Sequence, residues 1–280
     1  MAEQLPYAFA GIETPPVDLP SSVPPVSTMR NLKLTLCYDG TEFHGWQSQP
    51  GLRTVQQVLE DALEQLTGVR PSTTASGRTD AGVHALGQVV HFLTASRHQP
   101  ETFVRALNAL MPRDVRVLEA RELPQAFHAT LDARSKRYRY VIDNGRIASP
   151  FQLRYSWHVP APLDVPAMNR AGQRLLGRHD FRSFETDWPN RTSSVRTIHD
   201  LTVERRDELV RIEVEADGFL YNMVRAITGT LMLVGSGKRT EEWVSEVLAA
   251  QSRVAAGPTA PPQGLFLVKV CYPGRSGCPA

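Results

Sequence analysis

The 280-residue sequence has only three cysteines, Cys37, Cys271 and Cys278. They are too few and too scattered for a disulfide framework or a zinc ribbon, which points to a reducing compartment. Lysine is scarce too. It stands only at Lys33, Lys136, Lys238 and Lys269, and arginine supplies the rest of the 31 basic residues. Guanidinium forks suit phosphates and base edges, but a GC-rich genome gives the same bias, so the preference assigns no function. No sign of charge dominates. A net charge of +2 excludes a polycation, and any nucleic-acid surface has to be a local patch. Long apolar runs are also missing. The most apolar region, "AITGTLMLVGSG" after Arg225, is too short to cross a bilayer. Met1 to Arg30 has no apolar core flanked by basic residues, so no secretory signal is predicted there. No Walker loop is present and no G-x-G-x-x-G follows a strand, which argues against a nucleotide cofactor. There is no H-E-x-x-H, and His84, His91 and His98 match no zinc spacing, so no metal or other cofactor is expected. No G-x-S-x-G elbow marks a hydrolytic serine.

What is there reads as a soluble globular chain, 41% hydrophobic and 21% charged, long enough for one large domain or two moderate ones. The stretch "TPPVDLPSSVPPVST" predicts a disordered Pro-rich extension over 1–29. Order is expected from "NLKLTLCYDG", where Leu32, Leu34, Leu36 and Tyr38 alternate as in a strand with one buried face. Thr54 with Gln57 fits a capping box for a helix carrying Val55, Val58, Leu59, Ala62, Leu63 and Leu66, and Gly68 is placed to stop it. "QVVHFLT" reads as a strand, "ETFVRALNALMP" as a short helix, "VRVLEA" and "KRYRYVI" as further strands. Beyond them come a helix in "VPAMNRAGQRLLG", a β-hairpin in "IHDLTVERRDELVRIEVEA", and helices in "FLYNMVRAITGTLMLVG" and "TEEWVSEVLAA". "LFLVKVCY" closes as a strand. Hairpins in mixed order predict an α+β fold with a central, mainly antiparallel sheet flanked by helices. Two subdomains are expected, 30–128 and 129–273, with a tail over 274–280; they show no residue-level repeat.

Four stretches carry possible chemistry. In "ASGRTDAGVHALGQVVHF", Arg78 and Asp80 stand between Gly77 and Gly82, directly before an apolar run. A turn explains the glycines and the aspartate, but not the arginine. "DARSKRYRYVI" interleaves Arg134, Lys136, Arg137 and Arg139 with Tyr138 and Tyr140. Such a strand can hold phosphates and stack a base, or it can be a solvated face with core tyrosines. Arg225 lies inside the most apolar helix, where it either needs an acidic partner from a loop or snorkels at the rim. "YDGTEFHGWQSQP" is a structured loop built for tight packing or ligand contact.

These blocks, with "FHATLDARSKRYRYVI", "HDFRSFE", "VRTI", "GFLYNMVRAITGTLMLVG" and "TAPPQGLFLVKVCYP", occur in the order seen in the TruA family of tRNA pseudouridine synthases. The resemblance runs from about Leu32 to Pro273, and "GRTDAGVHA" is its most specific signature. It implies the pseudouridine synthase fold, with the catalytic cleft between two related subdomains. It implies that Asp80 is the essential aspartate, that Arg78 enters the RNA and helps displace the target base, that Tyr138 stacks on the uracil, and that Arg225 pairs with Asp80. It further implies a cytoplasmic, cofactor-free homodimer acting on uridines 38, 39 and 40 of the tRNA anticodon stem-loop. Two other readings remain beside it. One is a non-catalytic RNA-binding protein on the same fold. The other is a carboxylate-dependent hydrolase pairing Asp80 with Asp39 or another acid, which needs two acids at a suitable distance.

Overall fold

The computed structural model describes residues 29–186 and 193–273. The Pro-rich extension, all but its last residue, and the tail lie outside the described residues.

Strand β1 (Arg30–Tyr38) forms where the apolar residues alternate, and Leu32, Leu34, Leu36 and Tyr38 are all buried. One buried face was expected, yet Asn31 and Lys33 are buried as well. The chain at 124–127 crosses that second face, and Asn31 Nδ2 donates to the Phe127 carbonyl at 2.8 Å. Helix α1 (Val55–Thr67) begins where the sequence predicts: Thr54 accepts the Gln57 N–H through its side chain. It ends at Gly68, whose φ of 76° sends the backbone N–H back to the Glu64 carbonyl. The short β2 (Thr74–Ala75) pairs with β3 (His84–Thr94), and the loop between them carries the Arg78–Asp80 motif. Helix α2 (Pro100–Leu110) packs on β4 (Val115–Leu123).

The second half contains β5 (Ser135–Asp143), β6 (Trp157–His158), α3 (Val165–Gln173) and β7 (Gly177–Asp180). The predicted hairpin is β8 (Val195–Arg206) with β9 (Leu209–Ala216), turning at Asp207 with φ 55°. Helices α4 (Met223–Gly235) and α5 (Trp243–Ala250) follow, and β10 (Leu265–Cys271) ends the sheet. The predicted helix over "FLYNMVRAITGTLMLVG" starts only at Met223, because Asn222 takes the left-handed conformation, φ 61°.

Ten strands make one sheet, whose main path runs β4-β1-β3-β10-β5-β9-β8-β7. Along that path every pairing is antiparallel except β10 with β3, so the expectation of a mainly antiparallel α+β sheet holds. The last strand thus sits between the sheet strands of the first half and those of the second. Buried side chains from Leu32 to Tyr272 form one continuous core. Cys37 is a free thiol. No helix among the described residues is long and apolar enough to cross a membrane.

Candidate active site

The loop between β2 and β3 is held from several sides. Ser76 N–H donates to the Val89 carbonyl, and Gln88 bonds both the Ser76 hydroxyl and the Gly77 carbonyl. Thr79 Oγ1 lies 2.8 Å from the Tyr38 hydroxyl. At its end the loop is indeed a turn: Val83 N–H reaches the Asp80 carbonyl, and Gly82 supplies a φ of 77°.

The "YDGTEFHGWQSQP" stretch packs against this turn. Trp46 N–H donates to the Thr79 carbonyl at 3.0 Å, and Gly82 N–H to the Phe43 carbonyl at 3.2 Å. A Cβ at Gly40 would come within 2.0 Å of the Val83 carbonyl oxygen, so only glycine permits this approach. Of the two uses open to this loop, tight packing is the one observed. His84 extends the brace. Its Nδ1 accepts the Gly40 N–H, and its Nε2 faces the carbonyls of Arg154 and Gln263. Asp39 Oδ1 lies 3.2 Å from that Nδ1, and its other oxygen accepts the Tyr155 hydroxyl.

The braced loop forms one wall of a cleft of about 320 Å³. Gly77, Arg78, Thr79 and Asp80 face residues 219–224, the segment leading into α4. Lys136 and Tyr138 of β5 and Leu265 of β10 also line it. The cleft therefore brings together the Arg78, Asp80 and Tyr138 singled out in the sequence. Arg225 reaches it from the first turn of α4: its Nη1 stands 3.5 Å from Asp80 Oδ2. Of the two options for Arg225, an acidic loop partner is the one found.

Arg225 is held independently of Asp80. Its Nε donates to the Ala260 carbonyl at 2.7 Å and its Nη1 to Asn222 Oδ1 at 2.7 Å. Nη1 is thus shared between Asn222 Oδ1 and Asp80 Oδ2. Burial raises the Asp80 carboxyl above its usual range; the Arg225 charge opposes this but does not cancel it. Among the described residues lining the cleft, Asp80 is the one carboxylate. Asp39, the possible second acid of a hydrolase, is turned to Thr41, Tyr155 and His84 instead.

Tyr138 is buried, with its ring edge-on to Phe219 at 4.9 Å and 79°. Burial pushes its hydroxyl up beyond the ordinary phenol range. Arg78 is exposed over the cleft. The other arginines of the "RYRY" strand are turned away. Arg137 meets Asp200, Glu213 and Glu215 at 2.9, 3.2 and 2.7 Å, and Arg139 meets Glu213 at 2.7 Å. The strand alternates, so it is neither a uniform basic stripe nor a solvated face: one side presents Lys136 and Tyr138, and the other is neutralised by carboxylates.

Three residues of the site were missed in the sequence: Phe219, Asn222, and Tyr38 as the brace of Thr79. Lys136 was named there with the basic strand as a possible phosphate holder, but not as a residue of this cleft. His84, His91 and His98 do not gather, and among the described residues no group of three or more His, Cys, Asp or Glu could hold a metal ion. A second hollow, about 640 Å³, is lined by Lys33, Phe127, Arg134 and Tyr272 among others and contains none of the four singled-out residues.

The chain is similar to several known proteins. The family described as "tRNA pseudouridine synthase" matches residues 36–132 and 171–273. "tRNA pseudouridine synthase A" of Myxococcus xanthus is 48% identical over 253 residues, covering 90% of this chain and 95% of that protein. The protein of the same name from Thermoanaerobacter sp. (strain X514) is 44% identical over 244 residues, 87% of this chain and all of that one. That of Halalkalibacterium halodurans is 47% identical over 239 residues, 85% and 91% of the two chains.

Proposed function

The chain belongs to the tRNA pseudouridine synthase family, and we propose that its cleft isomerises uridine to pseudouridine in tRNA with Asp80 as the catalytic carboxylate. The observation that carries this assignment is the Asp80 carboxylate, paired with Arg225 at 3.5 Å, in a cleft that also holds the aromatic ring of Tyr138.

The reaction breaks the bond from N1 of uracil to ribose C1′, turns the base, and rejoins it through C5. No atoms are gained or lost, so no redox partner or group donor is required. What the reaction does require is a basic or nucleophilic group at the ribose while the base is loose, and an ionised carboxylate supplies either. Burial strips water from Asp80 and makes it a stronger base, while Arg225 opposes the rise, favours the ionised form and orients it. The target uridine must leave its stack at a cost of a few kcal/mol (roughly), drawn from binding energy. Arg78, exposed above the cleft, is placed to enter the RNA and help displace the base. Tyr138 receives the uracil on its face while Phe219 holds its ring in place.

The targets we propose are uridines 38, 39 and 40 of the anticodon stem-loop, in the cytoplasm. Reaching three neighbouring positions calls for reading the shape and phosphates of tRNA more than its base sequence. The working unit we propose is a homodimer, with subdomains 30–128 and 129–273 contributing opposite walls of each cleft. Exposed apolar side chains at Ile147, Phe151 and Leu153 support a contact between copies. Light scattering at micromolar concentration should give twice the chain mass; a monomer would rule the dimer out. The function itself is tested by mapping pseudouridine in unmodified tRNAs that carry uridine at each of the three positions, before and after incubation with the protein. Conversion at those positions is expected. Conversion confined to a distant loop would overturn the target assignment, and none at all would overturn the activity.

A further inference from the structure

β5 carries a second cation-bearing side chain into the cleft. Lys136 lies two residues before Tyr138 on the same face of the strand, and both line the cavity. Its Nζ donates to the Ser76 carbonyl at 2.7 Å, at the start of the loop that bears Arg78 and Asp80. The ammonium lies over Gly77, where a Cβ would stand 2.9 Å from Nζ; glycine there leaves it room. One bond to a carbonyl uses one of three ammonium donors.

Nothing anionic among the described residues answers this charge. Asp80, the carboxylate of the cleft, acts on Arg225, whereas the charge that acts on Lys136 is another cation, Arg196. Burial, and then Arg196, lower the Lys136 pKa to about 8. Its strand neighbour Arg137, facing the other way, meets three carboxylates. A half-buried cation beside a second cation costs free energy unless an anion arrives. The substrate brings one with every nucleotide. We infer that Lys136 binds a phosphodiester flanking the target uridine, adding a backbone anchor to the base contacts of Arg78 and Tyr138. This rests on the RNA substrate proposed above. Through its bond to Ser76 the same amine ties the bound phosphate to the loop that presents Asp80.

The test is binding of an anticodon stem-loop RNA with one target uridine, in three forms: native, and with a neutral methylphosphonate replacing the phosphate on its 5′ or its 3′ side. With the wild-type protein, one of the two replacements should weaken binding roughly tenfold, as expected for one charge-assisted contact. Lys136→Gln should weaken native RNA binding by a similar factor and show no further loss with that methylphosphonate. It should also reduce the salt slope of log K by about 0.7–0.9. Lys136→Arg, which keeps the charge, should stay sensitive to the replacement. Additive losses in Lys136→Gln would show that the lysine only props the loop and would overturn the inference, as would a wild-type protein indifferent to both replacements. Failure of the wild type to bind native RNA at all would instead overturn the substrate assignment, and the phosphate contact with it.

Discussion

The two faces of β5 are built to different ends. On one face Arg137 and Arg139 are matched by Asp200, Glu213 and Glu215, and Ser135 donates to Glu215 at 2.6 Å. On the other, Lys136 has a lone carbonyl partner among the described residues and the Tyr138 ring fronts open volume, with a desolvated Asp80 in the same cleft. The same strand and nearly the same residue types thus give a closed electrostatic network on one side and unanswered groups on the other. Polar groups whose partners are all present within the chain serve the fold. Groups held in place but left unanswered are available to a substrate.

If this contrast is right, substitutions on the two faces should separate activity from stability. The largest effect is expected at Arg225. Arg225→Gln should slow single-turnover conversion by ~100-fold, the scale of a misplaced reacting group, with RNA affinity little changed. The substitution also has a pH signature. Activity needs ionised Asp80 and so falls as pH drops through its raised pKa; Arg225 opposes that rise, so removing it should move the acid limb to higher pH. An unmoved limb would detach Arg225 from Asp80. Arg225→Lys should also be impaired, because an ammonium cannot reproduce the bonds to Ala260 and Asn222.

Next comes Tyr138. Tyr138→Leu should lose about 1–3 kcal/mol of stacking on the target base, read as weaker binding or slower conversion, while Tyr138→Phe stays near wild type. Equal losses in the two variants would assign the hydroxyl a chemical role.

The other face should give the opposite pattern. Glu215→Gln leaves the guanidinium of Arg137 less well matched and should lower unfolding free energy by about 2 kcal/mol in denaturant titration, with conversion per folded molecule unchanged. Burial pushes Glu215 upward, but bonds from Ser135 and Arg137 outweigh it and hold its pKa below the usual value. This contribution is present above the unfolded carboxylate pKa and is lost as pH falls through the depressed one. Arg139→Met, at a more exposed pair, should cost less than about 1 kcal/mol.

How much of this could be read from the sequence depended on the distance between partners. Thr54 and Gly68 fixed the ends of α1, and the stretch "IHDLTVERRDELVRIEVEA" read as the β8–β9 hairpin, because the deciding contacts lie within a few residues. The apolar setting of Arg225 left an acidic loop partner and snorkelling at the rim both open, and only the ordered blocks of the family resemblance pointed to Asp80. The alternation in "SKRYRYV" showed that β5 has two faces but not which one was answered, since Asp200, Glu213 and Glu215 lie more than sixty residues further along. The parallel docking of β10 on β3 and the left-handed Asn222 were also illegible. The first is a long-range pairing, and the second is imposed by the surroundings of a residue that tolerates it.

The division between a structural and a working face is most exposed at Asp80. Asp80→Asn keeps the size of the side chain and removes its charge, so one experiment can follow conversion, RNA binding and melting temperature together. Conversion should fall below detection. Binding should survive, because phosphate contacts dominate affinity and losing a negative charge cannot repel RNA. Because the folded-state pKa of Asp80 is raised, its ionised form costs stability once pH exceeds the unfolded carboxylate value, and the cost is complete above the folded one. At neutral pH the variant should therefore melt no lower than the wild type. Pseudouridine formed by Asp80→Asn above a no-enzyme control would remove Asp80 from the reaction, and a marked drop in melting temperature would place it among the structural charges instead.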